Sequence, residues 1–286
     1  MLKQRIITAS VLAATFLLAL FCLPVALFSG FVATVVLIGA WEWSNLSGLS
    51  RLSARVFYLL LQALVMALLA LYMGLLTLGT PLEPASAAQA SGRFAQVLMV
   101  GCTWWAVALL WVQGYPSSSL LWAQPLMRAL MGFFVLLPAW AALSYVRLQA
   151  DGAWLIVWIM AIVAAADIGG YFVGRRFGRR KLAPRVSPGK TWEGFLGGAG
   201  ANLLLALGVW GVTGSALVTT ITLALPTALV SVLGDLLESM LKRERGIKDS
   251  SALLPGHGGV LDRVDSLTAA APVFALILVM SQRPFG

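Results

Sequence analysis

Apolar residues in this chain run on for roughly twenty positions at a time, and they do so about nine times. The stretches fall near residues 6–28, 30–46, 56–78, 94–112, 128–146, 153–173, 197–213, 215–236 and 267–282. A helix needs about 20 residues to cross a hydrocarbon layer about 30 Å thick, so each is long enough to span it. Helices are also the only open-chain structure that satisfies every backbone group in lipid. Ser29-Gly30 splits the first two stretches and Thr213-Gly214-Ser215 the seventh and eighth; both read as tight turns between antiparallel neighbours. The pattern predicts an all-α integral membrane protein, a polytopic bundle of about nine transmembrane helices. Residues 1–150 read as a scaffold of about five spans. Residues 151–286 read as the part that carries cytoplasmic loops at 174–196 and 239–265, within one continuous membrane domain without internal repeats.

Composition agrees. Of the 286 residues 60% are hydrophobic and 11% charged, with a mean hydropathy of +0.90, whereas soluble domains average about 25% charged. Cys22 and Cys102 lie in separate apolar runs without a CxxC spacing, and read as small buried hydrophobes. Lys3 and Arg5 precede the first apolar run without a small-x-small cleavage site after it, which favours an uncleaved span over a signal peptide.

Charge predicts orientation. With the N-terminus cytoplasmic and nine spans, 17 basic residues fall inside and only Arg93, Arg147 and Arg283 outside. The net charge of +9 is then positive-inside topology beside anionic lipid. The basic residues sit against spans and form no recognition motif, which excludes a nucleic-acid partner.

Eight of the eleven acidic residues lie between Asp167 and Asp265, around two polar islands at 174–196 and 239–265. Asp167 stands inside the sixth span, where a charged side chain needs a cavity or a partner. Gly170 and Gly174 share its helix face and permit close approach. The "GKT" at 189–191 is not a phosphate-binding P-loop, because Pro184 stands where its first glycine belongs. At the end of the eighth span Asp235, Ser239 and Lys242 fall on one face with Glu238 beside them. Such carboxylates, with no cysteine nearby, suit a hard ion such as Mg²⁺; a salt-bridged helix end is the plainer alternative.

Residues 254–265, "LPGHGGVLDRVD", hold the chain's only histidine. The "GHGG" turn leads into the last span, where free N–H groups at a helix start attract phosphate. Asp262 and Asp265 share a face of that first turn and could complete a metal site with Asp235, while Lys242, Lys248 and Arg263 neutralise phosphate oxygens. An ordinary N-cap would explain one of the two aspartates. His257 reads as a phosphate contact rather than a general base, since a phosphomonoester, with a second pKa of about 6, is already largely a dianion at neutral pH.

At these residues the chain resembles the phosphatidate cytidylyltransferase (CDP-diacylglycerol synthase) family. The resemblance is carried by "SMLKRERGIKDSSALLPGHGGVLDRVD", Ser239 to Asp265, and by "DIGGYFVGRRFGRRKLAPRVSPGKTWEG", Asp167 to Gly194. Gly170 stands where the family more often has alanine. The resemblance implies that CTP and phosphatidate react to CDP-diacylglycerol and pyrophosphate, with Mg²⁺ and room for a second cation, in a homodimer of the bacterial inner membrane. It implies catalysis by Asp235, Lys242, Arg243, Lys248, Asp249, His257, Asp262, Arg263 and Asp265, with Asp235, Asp262 and Asp265 as metal ligands. It implies substrate binding by Asp167, Ser187, Lys190, Ser239, Gly258 and Gly259. Two other readings stay open: a CTP-dependent enzyme acting on another lipid, and a transporter of an anionic solute using Asp167 and Asp235 as a relay. Against the transporter, the polar cluster lies at one mouth of the bundle rather than at its midplane.

Overall fold

A computed structural model describes residues 2–75 and 84–281, with side chains from 6 to 75 and from 90 to 281. The chain order is α1 (Leu2–Cys22), α2 (Val25–Leu46), α3 (Leu52–Met73), α4 (Pro84–Gln113), the one-turn α5 (Ser119–Trp122), α6 (Pro125–Leu148), α7 (Gly152–Phe177), β1 (Lys181–Ala183), β2 (Ser187–Thr191), α8 (Trp192–Thr213), α9 (Leu217–Arg245) and α10 (Leu261–Ser281). Among the described residues eight helices are long and apolar enough to cross a membrane, and α1 adds a shorter apolar stretch, Ile6–Cys22. This is the polytopic all-α architecture that the hydropathy pattern predicts.

The first turn is not where Ser29-Gly30 suggested. α1 stops at Leu23-Pro24, where proline has no N–H to donate and its ring blocks the preceding turn. Ser29 lies inside α2, its hydroxyl sharing a buried 2.6 Å hydrogen bond with that of Ser144 on α6. A polar residue within a span here joins two helices instead of ending one. The second expected turn is present: Gly214 closes α8 at φ +66, a left-handed cap that suits glycine. Other helix ends extend past the apolar stretches, α10 starting at Leu261 rather than near 267. Hydropathy marks the lipid-embedded part of a helix, not its polar ends.

α6 is the central helix, buried almost continuously from Val135 to Val146 and packed against α2, α4 and α10. α3, α7 and α8 turn apolar side chains outward, among them Leu60, Leu64, Phe172 and Leu204, as lipid contact requires. α7 and α8 touch through glycines. A Cβ at Gly198 would stand 2.7 Å from Ala166 O, and one at Gly194 2.7 Å from Gly170 O. Close backbone approach of this kind is how helices associate in lipid, where no hydrophobic force drives them together.

The 174–196 island is more than a loop. β1 and β2 form an antiparallel hairpin, with Lys181 opposite Thr191 and Ala183 opposite Ser187. Thr191 then caps α8, its Oγ1 accepting the Gly194 N–H at 3.1 Å. Glu193 accepts the N–H groups of Arg179 and Arg180, which pins the hairpin to the helix that follows. The hairpin, the 246–260 loop, the α2–α3 turn and the start of α6 gather at one end of the bundle.

Gly198→Val should force α7 and α8 apart and lower stability by about 1–3 kcal/mol, whereas Gly200→Val, with nothing within 4 Å of its Cβ position, should be near neutral. Thermal unfolding of the two detergent-solubilised variants checks the contrast.

Candidate active site

α9 and α10 cross closely because Gly234 has no side chain; a Cβ there would stand 3.0 Å from Ser266 Cα. The next residue, Asp235, begins a polar face on an otherwise apolar helix. Its carboxylate takes a 2.6 Å ion pair from Lys190 of β2 and a 3.1 Å hydrogen bond from Ser239 Oγ, one turn further on. Lys242 Nζ lies 2.8 Å from Asp262 Oδ1 and 3.3 Å from Glu238 Oε1. Asp265 lies within electrostatic range of Asp235 and Lys242, and its Oδ1 accepts the Ser266 N–H at 2.7 Å. Glu238 is 2% exposed, and neither carboxylate oxygen accepts a hydrogen bond. Desolvated charges are costly unless paired, so such a cluster persists in lipid only where opposite charges hold one another.

The start of α10 departs from expectation. Asp262 Oδ2 accepts the Gly259 N–H at 2.8 Å, the Ser250 N–H at 2.9 Å and the Ser250 hydroxyl at 2.8 Å. The next two N–H groups, of Val260 and Leu261, donate to Glu42 of α2 at 2.9 and 2.7 Å. Glu42 is 1% exposed and also accepts the Ser251 hydroxyl at 2.6 Å. The amides expected to cradle a phosphate are therefore occupied by two carboxylates. Sequence reasoning missed Glu42. The signal was present as a single acidic residue in an apolar span, a position that requires a partner.

Three cavities adjoin this network. The first, of about 360 Å³, lies between α7, α8 and α9, with Asp167, Arg175 and Lys190 among its polar lining and Leu229 and Val232 among its apolar lining. The second, of about 570 Å³, is bordered by Lys248, Asp249, His257, Gly258 and Arg263. Asp262 lies directly behind Gly258, where a Cβ would stand 2.8 Å from its Oδ2. The third, of about 460 Å³, is mostly apolar and shares Leu182, Phe195, Leu229 and Val232 with the first. Lys190 with Asp235 thus lies at the first cavity and Lys242 with Glu238 and Asp262 at the wall of the second, and Asp265 is within electrostatic range of both groups.

Of the remaining expected residues, Gly259 is buried against Ser250 and Glu42, with no room for a side chain. Arg243 is turned away from the carboxylates, its Nε donating to Val186 O at 3.3 Å. Ser187 sits half-buried in β2 and lines none of the three cavities.

Asp235, Asp262 and Asp265 do not converge as a metal triad: among the described residues no three His, Cys, Asp or Glu side chains form a cluster able to hold an ion. The reason is Asp262, whose oxygens are engaged by three donors of the preceding loop and by Lys242. Asp235 and Asp265 remain as a pair of carboxylates, the hard oxygen-donor kind that Mg²⁺ takes.

Fold and site together define a polytopic helical membrane protein with a charged cluster at one end of its bundle. The family model of cytidylyltransferases matches residues 3–281, and the chain belongs to that cytidylyltransferase family. A Pseudomonas aeruginosa protein named phosphatidate cytidylyltransferase is 47% identical, over 97% of this chain and 97% of its own. A Haemophilus influenzae protein of the same name is 41% identical over 96% and 98%. One from Mycobacterium leprae, again so named, is 42% identical over 51% and 49%.

Glu42→Ala should strand two buried N–H groups and cost about 2–4 kcal/mol, whereas Glu42→Gln, which keeps one acceptor, should cost less. Thermal unfolding gives the size of the loss. Faster hydrogen exchange at Val260 and Leu261 should locate it.

Proposed function

We propose that the protein transfers the cytidylyl group of CTP to phosphatidate, giving CDP-diacylglycerol and pyrophosphate. The observation that carries this reading is the charged network between an apolar-walled cavity and a polar one. A lipid phosphate and a nucleotide must meet from these two kinds of surroundings. The near full-length likeness to proteins named phosphatidate cytidylyltransferase supports the same reaction.

In the reaction a phosphate oxygen of phosphatidate attacks the α-phosphorus of CTP. The bond from that phosphorus to the bridging oxygen of the β-phosphate breaks, and pyrophosphate leaves. The attacking phosphate needs no general base, being largely a dianion above its second pKa of about 6. The work left to the protein is positioning and charge neutralisation. Lys190, oriented by Asp235, faces the first cavity and neutralises the lipid phosphate there. Lys248 and Arg263 line the second cavity, where they neutralise the triphosphate and the departing pyrophosphate. His257 serves as a phosphate contact beside them. Its Nδ1 is buried without a hydrogen-bond partner. Lys242, held between Glu238 and Asp262, supplies a fixed positive charge at the wall of the second cavity.

Asp235 and Asp265 are the residues that would hold Mg²⁺. When bound, such an ion supplies positive charge to the phosphate oxygens. The 17-to-3 division of basic residues supports a cytoplasmic N-terminus and a site facing the cytoplasm. The bacterial relatives support an inner-membrane location, and the family resemblance supports a homodimer.

Purified protein in mixed micelles should release pyrophosphate only when CTP, phosphatidate and Mg²⁺ are all present. Asp235→Asn and Lys190→Met should each lower turnover about 100-fold while leaving thermal unfolding close to that of the parent. Release without phosphatidate, or no release under any lipid, nucleotide and metal condition from folded protein, would overturn the assignment.

A further inference from the structure

Away from the three cavities, two arginines converge at the same end of the bundle. Arg128 lies in the first turn of α6 and is only 7% exposed, yet its Nε is shut off from solvent and has no hydrogen-bond partner. Arg245, the last residue of α9, donates from Nε to Asn45 O at 3.3 Å. Both guanidiniums close on the bare flank of Gly48, whose φ of +84 suits glycine. A Cβ there would stand 3.1 Å from Arg128 Nη2 and 3.5 Å from Arg245 Nη1. Among the described residues neither arginine makes a salt bridge. The facing acid is Glu244, which accepts from Tyr115 OH at 3.4 Å.

Two like charges this close, one of them nearly buried, repel each other and lose hydration. A bound anion relieves both costs. Planar guanidinium forks suit the several oxygens of a phosphate better than a spherical ion does. Both residues lie at helix ends, at the level where lipid headgroups or soluble phosphates reach the protein. We propose that Arg128 and Arg245 form a binding site for a phosphate-class oxyanion, separate from the cavities assigned to the substrates. The site adjoins the catalytic loop. Asn45, which accepts from Arg245, donates to Ser250 O at 3.0 Å, and Ser250 donates to Asp262.

The test is thermal unfolding of the whole protein in a neutral detergent, titrated at constant ionic strength with inorganic phosphate or short-chain phosphatidylglycerol. Phosphatidylcholine serves as the uncharged control. The parent should show a saturable rise in Tm of about 3 °C or more. Arg128→Met and Arg245→Gln should each remove that rise, while Lys190→Met, at the first cavity, should keep it. If Arg128→Met fails to fold, Arg245→Gln, at a half-exposed position, carries the test alone. A rise with inorganic phosphate assigns the site to a free oxyanion; a rise with phosphatidylglycerol alone assigns it to a lipid headgroup. No rise, or an equal rise in the parent and both arginine variants, overturns the proposal.

Discussion

The start of α10 is clamped between two carboxylates from different parts of the chain, Glu42 of α2 and Asp262 of the helix's own first turn. The first N–H groups of a helix have no partner within it. Beside a lipid-embedded core, leaving one buried and unpaired costs about 1–3 kcal/mol. Once Glu42 and Asp262 accept them, the neighbouring loop has little freedom. Ser250 must stay within reach of Asp262, Ser251 within reach of Glu42, and Gly259 must lack a side chain. That clamp sets where Asp262 meets Lys242, and so where the charged network ends.

The network itself is expensive. Glu238 is buried without a hydrogen bond, and Asp265 lies within electrostatic range of another carboxylate. Replacing such a cluster with apolar residues often stabilises a protein. Fixed charges in a water-poor site act without having to reorganise, which is what such a cluster offers in return for its cost. The lysines are the groups held in place: Lys190 by Asp235, and Lys242 by Glu238 and Asp262.

Lys190 reaches Asp235 because α7 and α8 approach closely enough to set the hairpin between them over α9. Glycines at 194 and 198 allow that approach, and Thr191 with Glu193 fixes the hairpin to the start of α8. Packing inside the membrane thus decides a contact at its surface. The mostly apolar third cavity shares four residues with the first and so adjoins that contact zone.

Hydropathy alone determined the helical membrane fold, because lipid leaves a chain few ways to satisfy its backbone. The local spacing of Asp235, Ser239 and Lys242, and of Asp262 and Asp265, was legible for a similar reason: helix geometry assigns such residues to one face whatever lies around them. The Ser29-Gly30 turn was misread because a serine within a span looks the same whether it ends a helix or bonds to Ser144 across a helix pair. Glu42, Lys190 and Arg128 find their surroundings only through residues tens to hundreds of positions away. Tertiary structure decided that the amides at the start of α10 serve carboxylates rather than phosphate, and that Asp262 ties the Ser250 loop to that start. Which donor meets which acceptor depends on how helices pack, and helical periodicity carries no record of it.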